Sequence, residues 1–341
     1  MKAIGFKKHL KIDDPESLID FEMKKPTAKG HDLLVKVNAV SVNPVDIGVR
    51  KGGHSVLKTP KAIGWDACGV VEEVGSKVSL FKPGDRIFYA GSFIRSGSDS
   101  EYQLVDERIV GHAPETLKDN EAAAMPLTSL TAYEALFEQM DLTWNQENNQ
   151  HKTILIINGA GGVGSVATQL AHLAGLTVIA TASRPDSIKW TQDHGADYVV
   201  NHREDLVKQV RKLGFKYVDY ILELKDLDGH WKEMCELIKP EGHIVSITEN
   251  HRPINLRLLT KKKAHFSWEW MYTKSYYQTD DMITQHDILD KIAQMLDSGK
   301  LRCTMTKSLT PLNATNLRKA HKLVESGHMT GKVVVSDWEN N

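Results

Sequence analysis

The stretch Ile154-Leu155-Ile156-Ile157-Asn158-Gly159-Ala160-Gly161-Gly162-Val163-Gly164 decides the reading of this chain. Four apolar residues in a row read as a buried strand, and residues 163–174 read as a helix. Between them Gly159, Gly161 and Gly164 fall as G-x-G-x-x-G. In that setting the first glycine permits a tight turn and the second lets the backbone approach a pyrophosphate. The third lets the helix pack on the strand. Gly162 and Val163 complete the turn at the helix N-terminus, where free N–H groups and the positive dipole end favour phosphate. The stretch therefore predicts a dinucleotide site.

The flanking sequence agrees. Residues 177–181, 198–200, 217–221 and 243–247 are β-branched or aromatic runs, and a helix is expected over 185–194. Strands and helices alternating at this spacing predict a parallel sheet covered on both faces. Upstream, residues 33–37, 69–74 and 86–89 read as short strands, with a turn at Lys82-Pro83-Gly84-Asp85. Helical spacing begins near residue 121 and is interrupted by Pro126, so two helices are expected. Residues 144–152 are polar and read as a surface loop. Helices over 285–298 and 313–326 and a strand over 332–336 close the chain.

The cofactor's sugar is read about 20 residues beyond the turn. A site for an unphosphorylated ribose usually has Asp or Glu there. This chain has Ser183-Arg184-Pro185. Ser183 can donate to a 2′-phosphate and Arg184 can pair with it; Lys189 follows on the next helix within reach of the same group. NADPH is therefore the expected cofactor. The bland alternatives are that Ser183 caps a helix opened by Pro185 and that Arg184 is an ordinary surface charge. Asp186 falls slightly late for a ribose contact.

Composition narrows the function classes. The chain has 341 residues, 43 basic and 44 acidic side chains and a formal net charge of -1. No broad basic field exists to attract nucleic acid or an anionic membrane. The cluster Lys261-Lys262-Lys263 reads as a solvated run. No apolar run approaches the ~20 residues that span a bilayer. The N-terminus lacks a signal-peptide pattern, so a cytoplasmic location is expected. Cys68, Cys235 and Cys303 are far apart, which argues against a disulfide framework.

Five ordered motifs span the chain: Asn43-Pro44-Val45-Asp46, Lys82-Pro83-Gly84-Asp85-Arg86, Met125-Pro126-Leu127-Thr128-Ser129-Leu130-Thr131-Ala132-Tyr133, the Gly159 turn, and Gly331-Lys332-Val333-Val334-Val335. On these residues the chain resembles the medium-chain dehydrogenase/reductase superfamily. Within it, the resemblance is to the zinc-free quinone oxidoreductase branch and the zinc-type alcohol dehydrogenase-like proteins. The resemblance implies an α/β fold: a GroES-like, β-rich catalytic domain over residues 1–127 and 273–341, with a doubly wound Rossmann domain inserted over 128–272. It also implies a homodimer. It carries Asn43 to a position beside the nicotinamide and the substrate, Asp46 to a mainly structural role, and Arg50 to the lining of the substrate site. Thr128 and Thr131 fall in the motif that meets the nicotinamide carboxamide. His202 takes a place where relatives often have tyrosine near the adenosine. One departure stands out: several relatives have tyrosine two residues after the Asp46 equivalent, and this chain has Gly48. The expected proton donor is missing, and Tyr89, another residue or water takes its place.

No catalytic zinc is expected. In zinc-dependent relatives the metal sits on a cysteine, a His-Glu pair and a third side chain. Here the resemblance sets Asn43 at the first position and Gly64-Trp65-Asp66 at the second, and residues 124–126 offer nothing. Three cysteines cannot make an all-cysteine site. Cys68 reads as a buried structural thiol. Without a Lewis acid the chemistry favours quinones and α,β-unsaturated carbonyls, whose developing oxyanion needs only hydrogen-bond donors or solvent protons. Two other readings stand beside this one: an NADPH-dependent ketone or aldehyde reductase, and a crystallin-like NADPH-binding protein with little catalysis.

Overall fold

The computed structural model describes residues 1–339. The chain divides into two units: Met1–Leu130 together with the described residues from Tyr272 onward, and Thr131–Met271. The first bound falls inside the helix Pro126–Tyr133, where the sequence pattern has no break to mark it.

The unit Thr131–Met271 is built on six strands. In spatial order they are Tyr198–Val200, Thr177–Thr181, Thr153–Ile157, Val218–Glu223, Ile238–Ser246 and His265–Trp268, all parallel. Numbered along the chain the order is 3-2-1-4-5-6, a doubly wound sheet. The central strand Thr153–Ile157 is buried at every residue. Leu155, Ile157, Ile179, Ile221 and Ile244 form one core cluster with Trp231, Met234 and Leu237 of the helix Leu227–Leu237. That burial on both faces is why the strands read as continuous apolar runs rather than alternating ones. The order reverses beside Thr153–Ile157, so the glycine turn leaves the sheet at its topological switch point.

The other unit joins the two ends of the chain. The final strand, Lys332–Ser336, pairs antiparallel with Asp32–Ser41, with Val334 opposite Ser41. Asp32–Ser41 pairs in turn with Ala67–Val74, and the sheet continues through Arg86–Tyr89 to Val110–His112. A separate three-stranded sheet holds Ile19–Glu22, Lys2–Lys8 and Val56–Ala62. The GroES-like and Rossmann-like α/β organisation is as the sequence implied. Helices Asp119–Ala123 and Pro126–Tyr133 meet at Pro126, and the second continues as a π-helix over Glu134–Gln139. Two local readings are corrected. The polar segment 144–152 contains a short helix, Gln146–Asn149, and Asn149 is buried because its Nδ2 donates to the carbonyls of Thr143 and Ala174. Lys262 is not a solvated charge. Its ammonium donates to the carbonyls of Cys235, Glu236 and Ile238, satisfying the end of the helix Leu227–Leu237.

Candidate active site and cofactor turn

The turn after Thr153–Ile157 is specified residue by residue. Asn158 sits at φ 73, in the left-handed region. Its N–H donates to Thr181 Oγ1 at 2.8 Å, and the Gly159 N–H donates to the Thr181 carbonyl at 3.0 Å, which ties the turn to the neighbouring strand. A Cβ on Gly164 would lie 2.1 Å from the Asn158 carbonyl oxygen, and one on Gly159 would lie 2.8 Å from Ala180 Cβ. Both positions thus exclude any side chain on packing grounds alone. Gly161 differs: its Cβ would meet only the Asn158 side chain and carbonyl. Gly161 is the N-cap of the helix Gly162–Leu173 and supplies no side-chain cap. The first turn, with Gly162 and Val163, is therefore left to an incoming acceptor. Trp190 Nε1 donates to Ser165 Oγ, which donates to the Gly161 carbonyl, and this chain of bonds fixes the helix start.

Beyond the next strand, Arg184 rather than Ser183 is the N-cap of the helix Pro185–Asp193; its N–H donates to Ser187 Oγ at 3.1 Å. Ser183 is thus not the capping residue. The Arg184 guanidinium is 3.3 Å from Asp186 Oδ1. Lys189 is paired with Asp193 of its own helix at 2.8 Å, and both are exposed. Such a surface pair is worth under about 1 kcal/mol and is easily exchanged. His202 is half-buried, with an Nδ1 that is buried and makes no hydrogen bond among the described residues. Burial holds its pKa below the ordinary histidine value, and His230, Arg203, Lys225 and Arg184 push the same way. Arg203, Lys225 and His230 were not singled out from sequence. Arg203 directly follows His202, whereas Lys225 and His230 come from a loop and a helix further along the chain.

In the other unit the expected catalytic residues meet a lysine. Asn43 caps the helix Pro44–Lys51, whose first residue is Pro44, and the Asp46 carboxylate accepts the Asn43 N–H at 2.7 Å. Asn43 Nδ2 donates to Asp66 Oδ2 at 2.8 Å, while Asn43 Oδ1 accepts from Lys332 Nζ. Lys332 Nζ also donates to Asp66 Oδ2 at 2.8 Å, and the Leu127 N–H donates to Asp66 Oδ1 at 2.7 Å. Asn43 is 2% exposed and bonded at both ends of its amide, so within this unit it is a framework residue. Gly64, at φ +106, lets the loop at Ser98 and Asp99 close in; a Cβ there would lie 2.7 Å from Asp99 Oδ1. Asp46, Asp66 and Asp99 are all buried, and Lys332 is the buried ammonium beside them. Asp46 and Asp66 share the one Lys332 ammonium, and Asp99 faces the Asp46 charge, so the three carboxyls cannot all be ionised cheaply. Burial raises Asp46 to about 7, against the Asn43 N–H and Lys332. Burial also raises Asp66, and it raises Asp99 further, with the Asp46 charge adding to the effect.

Two expectations change here. Arg50 lines no substrate site: its side chain is wholly buried, and its guanidinium donates to the Leu10 carbonyl and to Glu325 Oε2 at 2.8 Å. It ties the helix Pro44–Lys51 to the helix Ala314–Glu325. Tyr89 does not replace the missing proton donor, because it is fully buried and its hydroxyl donates to Gln103 Oε1 at 2.8 Å. Thr128, also buried, spends its hydroxyl on the Met125 carbonyl at 3.1 Å. Thr131 is buried on the same helix. Cys68 is fully buried against Asp119, and burial pushes its thiol up, so it is inert.

The residues present do not fit a zinc ion. Among the described residues no group of three or more His, Cys, Asp or Glu is placed to hold a metal. Asn43 and Asp66 are already bound to the Lys332 ammonium.

Residues 29–115 match the alcohol dehydrogenase GroES-like domain, and residues 194–335 match the zinc-binding dehydrogenase family. A zinc-type alcohol dehydrogenase-like protein of Staphylococcus aureus is 45% identical over 336 residues, covering 98% of this chain and 100% of the relative. The mitochondrial NAD(P)H oxidoreductase RTN4IP1 of Homo sapiens is 28% identical, over 90% of this chain and 82% of its own length. Among solved structures, a Rhizobium etli protein described as a zinc-dependent alcohol dehydrogenase superposes with a TM-score of 0.94 at 44% identity, covering 100% of this chain and 99% of that one. Escherichia coli quinone oxidoreductase complexed with NADPH gives 0.83 at 25% identity, over 98% of this chain and all of the other. The chain belongs to the medium-chain dehydrogenase/reductase superfamily and is an oxidoreductase of the zinc-type alcohol dehydrogenase-like group. No helix among the described residues is long and apolar enough to cross a membrane.

Proposed function

We propose that this chain is an NADPH-dependent oxidoreductase that transfers hydride to quinones or α,β-unsaturated carbonyls without a metal. The observation that carries the reading is the positive charge that Arg184, Arg203, Lys225 and His230 bring to bear on His202. A dinucleotide whose adenosine ribose carries a free 2′-hydroxyl leaves that charge unanswered, whereas a 2′-phosphate answers it. The NADPH bound to the Escherichia coli quinone oxidoreductase supports the same choice.

When bound, the nicotinamide supplies the hydride. The chain's own part is to hold the pyrophosphate on Gly159, Gly161, Gly162, Val163 and Gly164, and the 2′-phosphate on Ser183, Arg184 and His202. Lys332 does electrostatic work at the positions that the resemblance assigns to zinc: it compensates Asp66 and fixes the Asn43 amide. A buried ammonium bound in this way cannot polarise a carbonyl as zinc does, which favours conjugated acceptors over simple alcohols.

The proposal includes a homodimer. The strand His265–Trp268 is at the edge of its sheet, and Trp268 and Trp270 are exposed. Sedimentation at the mass of one chain would reject this part. The function is tested by following NADPH and NADH oxidation against a panel of small quinones, enones, aldehydes and ketones. Turnover of quinones or enones with NADPH, unchanged by a chelator, is the expected result. Turnover confined to aldehydes and ketones, or lost on chelation, would overturn it.

A further inference from the structure

We propose that Trp190 is a positioning residue for the cofactor: through Ser165 it fixes the Gly161–Gly162 peptide so that the Gly162 N–H faces the pyrophosphate. The inference rests on the reading above that the glycine turn holds a dinucleotide, and it adds a residue that acts through the backbone.

The turn has a weakness built into it. Gly161 and Gly162 are adjacent, so the peptide between them has no side chain on either flank to restrain it. Gly161 lies at φ -70, ψ 175, an extended conformation that a glycine readily leaves. As the N-cap it has no side chain to hold the helix start. A donor that swings weakens binding, because the ligand must then order it.

The restraint comes from further along the chain. The Gly161 carbonyl accepts two hydrogen bonds from Ser165, one from its N–H at 2.8 Å and one from its Oγ at 2.7 Å. Ser165 Oγ accepts in turn from Trp190 Nε1 at 2.8 Å. A hydroxyl that accepts a hydrogen bond becomes a stronger donor, and the indole leaves its single proton directed at the carbonyl. The peptide is planar and trans, so its C=O and N–H point in opposite directions. Holding the Gly161 carbonyl along the helix therefore holds the Gly162 N–H outward, among the free donors of the helix N-terminus.

Trp190 is itself held. Its ring stacks on His194 with centroids 4.0 Å apart and an interplanar angle of 28°, and His194 Nδ1 donates to the Trp190 carbonyl at 2.7 Å. The next residue, Thr191, seats the same helix on the turn: a Cβ on Gly159 would lie 3.0 Å from Thr191 Cγ2. The helix Pro185–Asp193 thus reaches the turn through two successive side chains.

Calorimetric titration with NADPH and with NADH tests this in the native chain, Trp190→Phe, Ser165→Ala and the double variant. Phenylalanine keeps a ring against His194 and loses the donor; alanine is a good helix former and loses the hydroxyl. Trp190→Phe should weaken both dinucleotides by the same factor, about three- to tenfold, the size of one lost hydrogen bond. In turnover of a small quinone the KM for NADPH should rise by that factor while kcat stays within about twofold. The double variant should lose no more than the larger single variant, because both break one relay. A Tm that falls with both Kd values unchanged would make the tie structural only and overturn the inference. Additive losses, a loss confined to NADPH, or a fall in kcat with KM unchanged would overturn it as well. A native chain that binds neither dinucleotide would instead reject the reading on which the inference rests.

Discussion

Replacing Asp46 by Asn should remove a fall in the protein's stability that runs from about pH 4 to about pH 7. Asp46 is buried, and burial raises its carboxyl from an ordinary 3.8 to about 7. A raised carboxyl is protonated in the folded chain while the unfolded chain has already lost that proton. The stability linked to it is complete below about pH 4 and is lost as pH rises through about 7. At about 1.4 kcal/mol per unit, the full loss is about 4 kcal/mol, of which about 3 falls between pH 5 and 8. The Asn variant keeps an oxygen to accept the Asn43 N–H and carries no charge, so its curve lacks this loss. Asp99, which faces the Asp46 charge, is eased in the same direction. For a unit of about 200 residues the gap corresponds to a Tm difference that grows by roughly 6–12 °C between those pH values. Thermal and urea unfolding of both proteins at pH 5, 6, 7 and 8 measures it. Parallel curves, with a gap constant to within about 1 kcal/mol, would refute the claim that Asp46 is held protonated.

Other consequences follow from the same contacts. Lys332→Met leaves Asp66 buried without its ammonium and should cost about 3–5 kcal/mol in denaturant unfolding; adding Asp66→Asn should recover more than half of that, and no recovery would deny the pairing. Gly164→Ala forces a methyl against the Asn158 carbonyl and should cost on the order of 1–3 kcal/mol while abolishing the fluorescence change on nucleotide binding. Arg184→Asp should weaken NADPH at least tenfold, as for loss of a charge-assisted bond of about 1.5–3 kcal/mol, and leave NADH within about twofold; equal losses would remove Arg184 from the 2′-phosphate site.

What the sequence made legible was local. The glycine turn could be read because each glycine answers a contact a few residues away, and Gly164 meets Asn158 within the same turn. The strands of the doubly wound sheet could be read because burial on both faces leaves a continuous apolar run, as in Thr153–Ile157. The final strand was visible for the same reason, yet its first residue was read only as part of a motif. Lys332 meets Asn43 and Asp66 across 289 and 266 positions. A contact of that span leaves no periodic trace, and only a lone cation at the head of an otherwise apolar strand hints at it. Arg50 misled for the converse reason. Its partner Glu325 is 275 residues away, so a wholly buried structural tie resembled an available charge. Lys225 and His230 were missed because they lie on other elements than His202, whereas Arg203 directly follows it and passed as an ordinary surface charge.

The central claim is hydride transfer from NADPH to a conjugated acceptor, and the most direct measurement follows the hydride. NADPH deuterated at the transferring C4 position, reacted with a simple enone and this protein, yields a product whose label can be placed by mass spectrometry and NMR. The expected product is a saturated ketone with deuterium on the former β-carbon. An allylic alcohol with deuterium on the carbonyl carbon would contradict it.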